Sequence, residues 1–255
     1  MNALPQSDYI IEASGLNKSF FGFSAVSDVD LKIRRHSIHA LIGPNGAGKT
    51  TTFNLITKFL APSSGTILFN GEDITRLRPE QVARRGVVRS FQISAVYPRM
   101  TVRENIRIAL QRPLGVAYRF WRSDKTLRVL DNRVDELLDE VGLLSYAEEP
   151  ATLLSYGRKR SLEIATTLAL DPEMLLLDEP TSGLGQEDVE RVAALIRKVS
   201  ANRTILMVEH NLSVVASLSD TITVLAAGRV LAEGNYETVS TDQRVIDAYI
   251  GGTDD

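Results

Sequence analysis

Between residues 43 and 50 the chain reads Gly43-Pro44-Asn45-Gly46-Ala47-Gly48-Lys49-Thr50, a glycine, four residues, a second glycine, a lysine and a hydroxyl residue. The short apolar run Ile38-His39-Ala40-Leu41-Ile42 precedes it, and Phe53, Ile56 and Leu60 recur after it at helical spacing. Strand, loop and helix in that order predict an α/β fold with a phosphate site at the loop. The glycines let the backbone turn tightly and bring its N–H groups to phosphate oxygens, and the helix N-terminus adds partial positive charge. Lys49 suits the charge of β- and γ-phosphates, and the Thr50 hydroxyl suits Mg²⁺. The plain alternative is a glycine-rich turn with an exposed lysine. Chance supplies this pattern in roughly one chain of this length in a hundred, so the flanking strand and helix weigh against that alternative.

A phosphate loop alone leaves kinases, GTPases, helicases and transport ATPases open. The stretch Met174-Leu175-Leu176-Leu177-Asp178-Glu179-Pro180 narrows the choice. Four apolar residues ending in two carboxylates read as a buried parallel strand. Nucleotide sites in α/β sheets form at the carboxyl ends of strands, where Asp178 would emerge to hold Mg²⁺. Glu179, one residue on, is placed to polarise a water. Alone, such a pair reads as solvated loop charge, but beside a phosphate loop that reading loses.

Upstream of Asp178, Leu154-Ser155-Tyr156-Gly157-Arg158 resembles the Leu-Ser-Gly-Gly-Gln signature of ABC ATPases. Other family elements follow in order. Gln92 in Ser90-Phe91-Gln92 resembles the Q-loop, Ser182-Gly183-Leu184-Gly185 the D-loop, and His210 in Val208-Glu209-His210 the switch histidine. The match runs from about Ile10 to Ile250. It implies an ABC-type P-loop NTPase with a RecA-like core, an antiparallel β part and an inserted α-helical subdomain. In that reading the core covers about 1–92 and 168–255, and the helical subdomain about 93–167. ATP and Mg²⁺ are the implied cofactors. Phe20 would stack on adenine, Gly43 to Thr50 with Thr51 would bind phosphates, and Thr50, Gln92 and Asp178 would hold the metal. Glu179, His210 and Gln92 would carry hydrolysis. Ser155, Tyr156 and Gly157 would close over the ATP of a second ATPase subunit, identical or homologous, in a head-to-tail dimer. Permease subunits and, indirectly, a solute-binding protein are the implied partners, at the cytoplasmic face of the inner membrane. Gly185 departs from the Asp or Asn usual at the end of the D-loop. Tyr156, the phosphate-loop phrase through Thr51 and the ending Val245-Ile246-Asp247-Ala248-Tyr249-Ile250-Gly251 are most similar to importers of branched-chain or hydrophobic amino acids. A lipid or lipopolysaccharide exporter ATPase shares the Asn-Gly-Ala-Gly-Lys-Thr-Thr phrase, but Tyr156 and the C-terminal phrase argue against it.

Composition agrees with one large globular domain: 255 residues, 44% hydrophobic. A formal net charge of −3 provides no basic field to recruit nucleic acid or an anionic membrane surface. The absence of cysteine excludes disulfides and thiolate metal sites. Residues 1–8 show neither the basic region nor the apolar run of a signal peptide, and no stretch approaches the ~20 apolar residues that span a bilayer. A guanine-reading motif needs an Asp that Asn17-Lys18-Ser19-Phe20 lacks.

Along the rest of the chain, Val29, Leu31 and Ile33 alternate against Asp30 and Lys32 as in a strand. Phe20, Phe21 and Phe23 crowd one loop and are expected to pack under the sheet edge, Phe20 excepted. Pro62-Ser63-Ser64-Gly65 is expected to stop the phosphate-loop helix, with a strand over Thr66-Ile67-Leu68-Phe69 and a turn at Asn70-Gly71. Arg76, Arg78, Arg84, Arg85 and Arg89, interleaved with Glu72, Asp73 and Glu80, read as a solvated helix face rather than a nucleic-acid patch. A strand over residues 87–91 delivers Gln92. Leu127, Leu130, Val134, Leu137, Leu138 and Val141 mark one face of a helix, and a second helix is expected from Arg158 to Leu170. The aromatic segment Gly115 to Arg122 leaves a membrane or permease contact and a packed insertion both open. Val189, Val192, Ala193, Ile196 and Val199 form another helical stripe. Strands are expected over Thr204 to Val208, Ile222 to Leu225 and Val230 to Gly234, and disorder after Gly251.

Overall fold

The computed structural model describes residues 7–90, 96–111 and 130–250. Gln92, Leu127, the Gly115 to Arg122 segment and the tail after Gly251 lie outside the described residues. The described residues form two sheets. The smaller is antiparallel, in the order β2-β1-β4-β5, from β1 (Tyr9–Phe20), β2 (Phe23–Arg34), β4 (Ser64–Phe69) and β5 (Glu72–Asp73). Asn70 and Gly71 both take positive φ, 54° and 78°, the backbone a two-residue hairpin requires. The larger sheet has the order β10-β9-β3-β8-β7-β6, built from β3 (Ile38–Ile42), β6 (Val87–Ser90), β7 (Met174–Asp178), β8 (Thr204–Val208), β9 (Thr221–Ala226) and β10 (Arg229–Gly234). Its strands run parallel except for the antiparallel β9-β10 pair.

Strands β3, β7 and β8 are buried along their whole length, so both faces of the larger sheet are covered. Alternation then divides one strand between two cores. Ile38, Ala40, Ile42, Leu175, Leu177, Ile205 and Met207 face the helical side. There they pack with α3 (Val102–Gln111), α4 (Asp131–Glu140), α5 (Tyr156–Leu168), α6 (Gln186–Ser200) and α7 (Leu212–Leu218). Leu41, Met174, Leu176, Leu206 and Val208 face the other way, against Phe53, Leu55 and Ile56 of α1 (Lys49–Ile56) and the inner face of the antiparallel sheet. Helix α2 (Pro79–Arg84) precedes β6, and α8 (Tyr236–Ser240) and α9 (Gln243–Ile250) follow β10. Among the described residues no helix is long and apolar enough to cross a membrane.

Three expectations need correction. Helix α1 ends at Ile56, before Pro62: Lys58 turns to φ 63° and the Leu60 N–H returns to the Asn54 carbonyl at 3.0 Å. Leu60 therefore packs on the core from a loop. Phe21 and Phe23 do not pack under the sheet edge but stand exposed at the β1-β2 hairpin tip beside Phe20, Phe21 completely, because its φ of 48° turns it away from the sheet. Arg89 does not share a solvated helix face. It sits on β6, its side chain largely buried and ion-paired inside the protein.

Candidate functional site

The site grows from the carboxyl ends of the parallel strands. Beyond β3 the chain enters the phosphate loop through Gly43, at φ 146°, where an added Cβ would lie 2.1 Å from the Leu225 carbonyl oxygen. Only glycine lets the loop leave the sheet against β9. The loop returns as α1, whose N-cap Gly48 offers no side-chain cap, and the first helical bond is from Thr52 N–H to the Gly48 carbonyl. The N–H groups of Lys49, Thr50 and Thr51 are thus left for an anion at the positive end of the helix. The Lys49 ammonium donates to the carbonyls of Gly43 at 2.6 Å and Pro44 at 2.9 Å, lying across the loop it belongs to. Burial pushes its pKa down, and the Glu179 carboxylate opposes that shift. The two charges therefore share one local field.

Strands β7 and β8 end side by side, Asp178 pairing with Val208. The buried Asp178 takes an ion pair from Arg89 on one oxygen, Oδ2, at 2.6 Å. Its other oxygen accepts no hydrogen bond among the described residues, and its backbone carbonyl accepts from Arg160 at 2.9 Å. Glu179 turns out of the strand at φ 45°, a left-handed backbone disfavoured for any side chain, while its N–H is held by the Val208 carbonyl at 2.8 Å. That turn aims the carboxylate towards His210, whose Nδ1 is 3.9 Å from Glu179 Oε1, and both side chains are substantially exposed. The donor set suits a hard divalent cation. The exposed Thr50 hydroxyl and the uncommitted Asp178 oxygen are hard oxygen donors of the kind Mg²⁺ takes.

The signature residues open helix α5. Ser155 caps it by accepting from the Arg158 N–H, and a Cβ on Gly157 would meet the Asp188 carboxyl carbon at 2.2 Å, so α5 and α6 touch through that glycine. Tyr156 is exposed and stands opposite Gly183, and with Glu179, Ser182 and Leu184 it lines a cleft of about 390 Å³. Among the described residues no hydrogen bond or ion pair joins Ser155–Gly157 to the phosphate loop of the same chain. Gly185 is the N-cap of α6, exposed and without side-chain capping, and a Cβ there would meet nothing. Phe20 ends β1 with Lys18 Nζ 5.1 Å from its ring centre. Its hairpin adjoins the phosphate loop, since a Cβ on Gly48 would sit 2.6 Å from the Ala25 carbonyl oxygen of β2.

Three residues were passed over in the sequence. Arg160, one turn into α5, donates to the carbonyls of Asp178 and Pro180 and to Glu163. It ties the signature helix to the end of β7. Glu209, fully buried, accepts from the Thr181 hydroxyl and N–H and from the N–H groups of His210 and Asn211. Arg89 is the third. An ionisable residue inside or ending a strand run is the one available signal, and Arg89 and Glu209 both carried it.

The family model for ABC transporters matches residues 26–182, and that for branched-chain amino acid ATP-binding cassette transporters matches 229–255. The chain is 39% identical to the high-affinity branched-chain amino acid transport ATP-binding protein BraF of Pseudomonas aeruginosa, over 95% of this chain and 98% of that one. It is 38% identical to the Escherichia coli protein LivG of the same description, over 96% and 99% of the two chains. Among solved structures, a nucleotide-free ATP-binding cassette from an ABC transporter superposes with TM-score 0.83 at 27% identity, covering 95% of this chain and 99% of that one. The ADP conformation of another such cassette superposes with TM-score 0.84 at 27% identity, covering 96% and 100%.

Proposed function

From the premise that this chain belongs to the ABC transporter family and is one of its ATP-hydrolysing subunits, we propose that it drives import of branched-chain or other hydrophobic amino acids. The relatives named above support this substrate class over the lipid or lipopolysaccharide exporter alternative. In this reading the protein is peripheral, docks on permease subunits at the cytoplasmic face of the membrane, and receives substrate indirectly from a solute-binding protein. A second ATPase subunit completes each nucleotide site.

One observation carries the hydrolytic part of the proposal: the phosphate loop leaves the end of β3 beside β8, and Asp178, Glu179 and His210 gather at the ends of the adjoining strands β7 and β8. Lys49 and the free N–H groups of Lys49, Thr50 and Thr51 hold the β- and γ-phosphates. Phe20 stacks on adenine. Thr50, Asp178 and Gln92 would hold Mg²⁺, which would neutralise developing phosphate charge. Glu179 accepts the proton of the attacking water, and His210 orients the γ-phosphate. Ser155, Tyr156 and Gly157 of the partner cap the nucleotide through the N-terminus of α5.

Glu179→Gln is expected to keep ATP affinity and lose ~10²–10⁴ fold in turnover, the scale for removing a general base. Blocked hydrolysis should then leave a nucleotide-sandwiched dimer, seen by size-exclusion chromatography with light scattering when MgATP is added. Lys49→Ala should bind no ATP and stay monomeric. A Glu179→Gln protein that binds ATP yet never dimerises, even with its partner ATPase subunit supplied, would sink the mechanism.

A further inference from the structure

The Arg89 guanidinium meets three elements at once. Nη2 reaches Asp178 Oδ2 at the end of β7 at 2.6 Å, and Nη1 reaches Asn54 Oδ1 on α1 at 2.5 Å. The guanidinium carbon lies 5.0 Å from the Phe53 ring centre and 5.8 Å from that of Phe59. Nε has no hydrogen-bond partner among the described residues. A largely buried guanidinium fixed by two polar contacts and two aromatic rings is held in one geometry. Its approach to Asp178 is single-ended. A fork-to-fork pair would occupy both carboxylate oxygens, whereas here one is engaged and the other is left uncommitted.

Resting on the function proposed above, we infer that Arg89 is a positioning residue for the metal site. It pins Asp178 by one oxygen so that the other is presented to Mg²⁺, and through Asn54 it fixes that carboxylate relative to the helix bearing Lys49 and Thr50. The carboxylate and the Thr50 hydroxyl arrive on different elements, β7 and α1, and Mg²⁺ demands near-ideal ligand geometry. One rigid cation touching both elements sets their spacing before metal arrives. Losing an outer partner of a metal ligand costs 10–100-fold in metal affinity. The positive charge of Arg89 opposes a nearby dication, and in this proposal the gain in ligand geometry outweighs that repulsion.

The test is a Mg²⁺ titration of ATP binding to the full chain, followed by a fluorescent ATP analogue, with an EDTA arm for metal-free binding. Arg89→Met should raise the half-saturating MgCl₂ concentration at least tenfold and leave binding in EDTA unchanged. Arg89→Lys, which keeps the charge but cannot span Asp178 and Asn54, should recover only part of the loss. Asn54→Leu leaves the ion pair and removes the anchor. It should shift the midpoint by a smaller factor, and it serves as the readout if the Arg89 variants do not fold. An Arg89 that merely stabilises the fold predicts a lower melting temperature with an unchanged Mg²⁺ midpoint. One that competes with the metal predicts a lower midpoint. Either result overturns the inference while leaving the ATPase reading intact. Wild-type protein whose nucleotide binding ignores Mg²⁺ would remove both.

Discussion

The ends of β7 and β8 invite comparison because their sequences look alike: a buried apolar strand, an acidic side chain, then a second ionisable group. At β8 the first of these, Glu209, spends its carboxylate on donors of its own chain, two from Thr181 and one each from His210 and Asn211. At β7 the first, Asp178, keeps one oxygen uncommitted, and Glu179 after it stands in strained backbone. Two neighbouring strand ends thus divide the work. One is satisfied internally and braces the loops, and the other is left chemically unfinished.

Glu209→Ala should show the largest effect of that division on stability. It strands four buried or half-buried donors at once and should cost about 4 kcal/mol in urea unfolding. A loss below about 1 kcal/mol would mean that water or a neighbour replaces the carboxylate and that the contrast between the two ends is false.

The comparison sharpens further against a titratable group in mid-strand. His39 of β3 is buried, its Nε2 2.8 Å from Thr223 Oγ1, whose hydroxyl donates to Glu233. Burial lowers its pKa to about 4. The unfolded chain binds a proton near pH 6.5 that the folded chain refuses, so stability is complete above that pH and falls as pH drops towards 4. Between pH 7.5 and 5 the wild type should lose about 2 kcal/mol more than His39→Gln, from 1.36 kcal/mol per pKa unit. Parallel curves for the two proteins would show that His39 is not buried neutral.

The smallest effect has the opposite sign. Glu179→Gly should relieve left-handed backbone and stabilise the protein by about 0.5–1 kcal/mol, the gain being trimmed by the greater entropy of glycine unfolded, while ATP turnover disappears. Destabilisation instead would place Glu179 with Glu209 as a brace.

The strands of the parallel core were readable to the residue at β3, β7 and β8 because burial on both faces writes an uninterrupted apolar run. The strand-end positions of the phosphate loop, the two carboxylates and His210 were readable because each sits at a fixed offset from such a run. Arg89, Arg160 and Glu209 were not, since their roles arise from partners 89, 18 and 28 residues away. The place of Arg89 inside a strand run marks it out among the arginines but does not name the carboxylate it meets. The end of α1 escaped for a related reason: Lys58, a good helix former, is carried to positive φ by packing rather than by preference.

The place of β3 between β8 and β9 has a consequence in time. The strand that carries the phosphate loop leaves the ribosome early, yet both its neighbours begin only at Thr204 and Thr221. At about 5–20 residues per second, roughly 8 to 30 s pass before either exists. The β1-β2 hairpin can close at once from local contacts, but β3 must wait, apolar and unpaired. Among the described strands, the one leading into the phosphate loop is therefore the one a nascent chain must shield longest, and slowed synthesis ahead of β8 prolongs the interval in which the chain is open to aggregation.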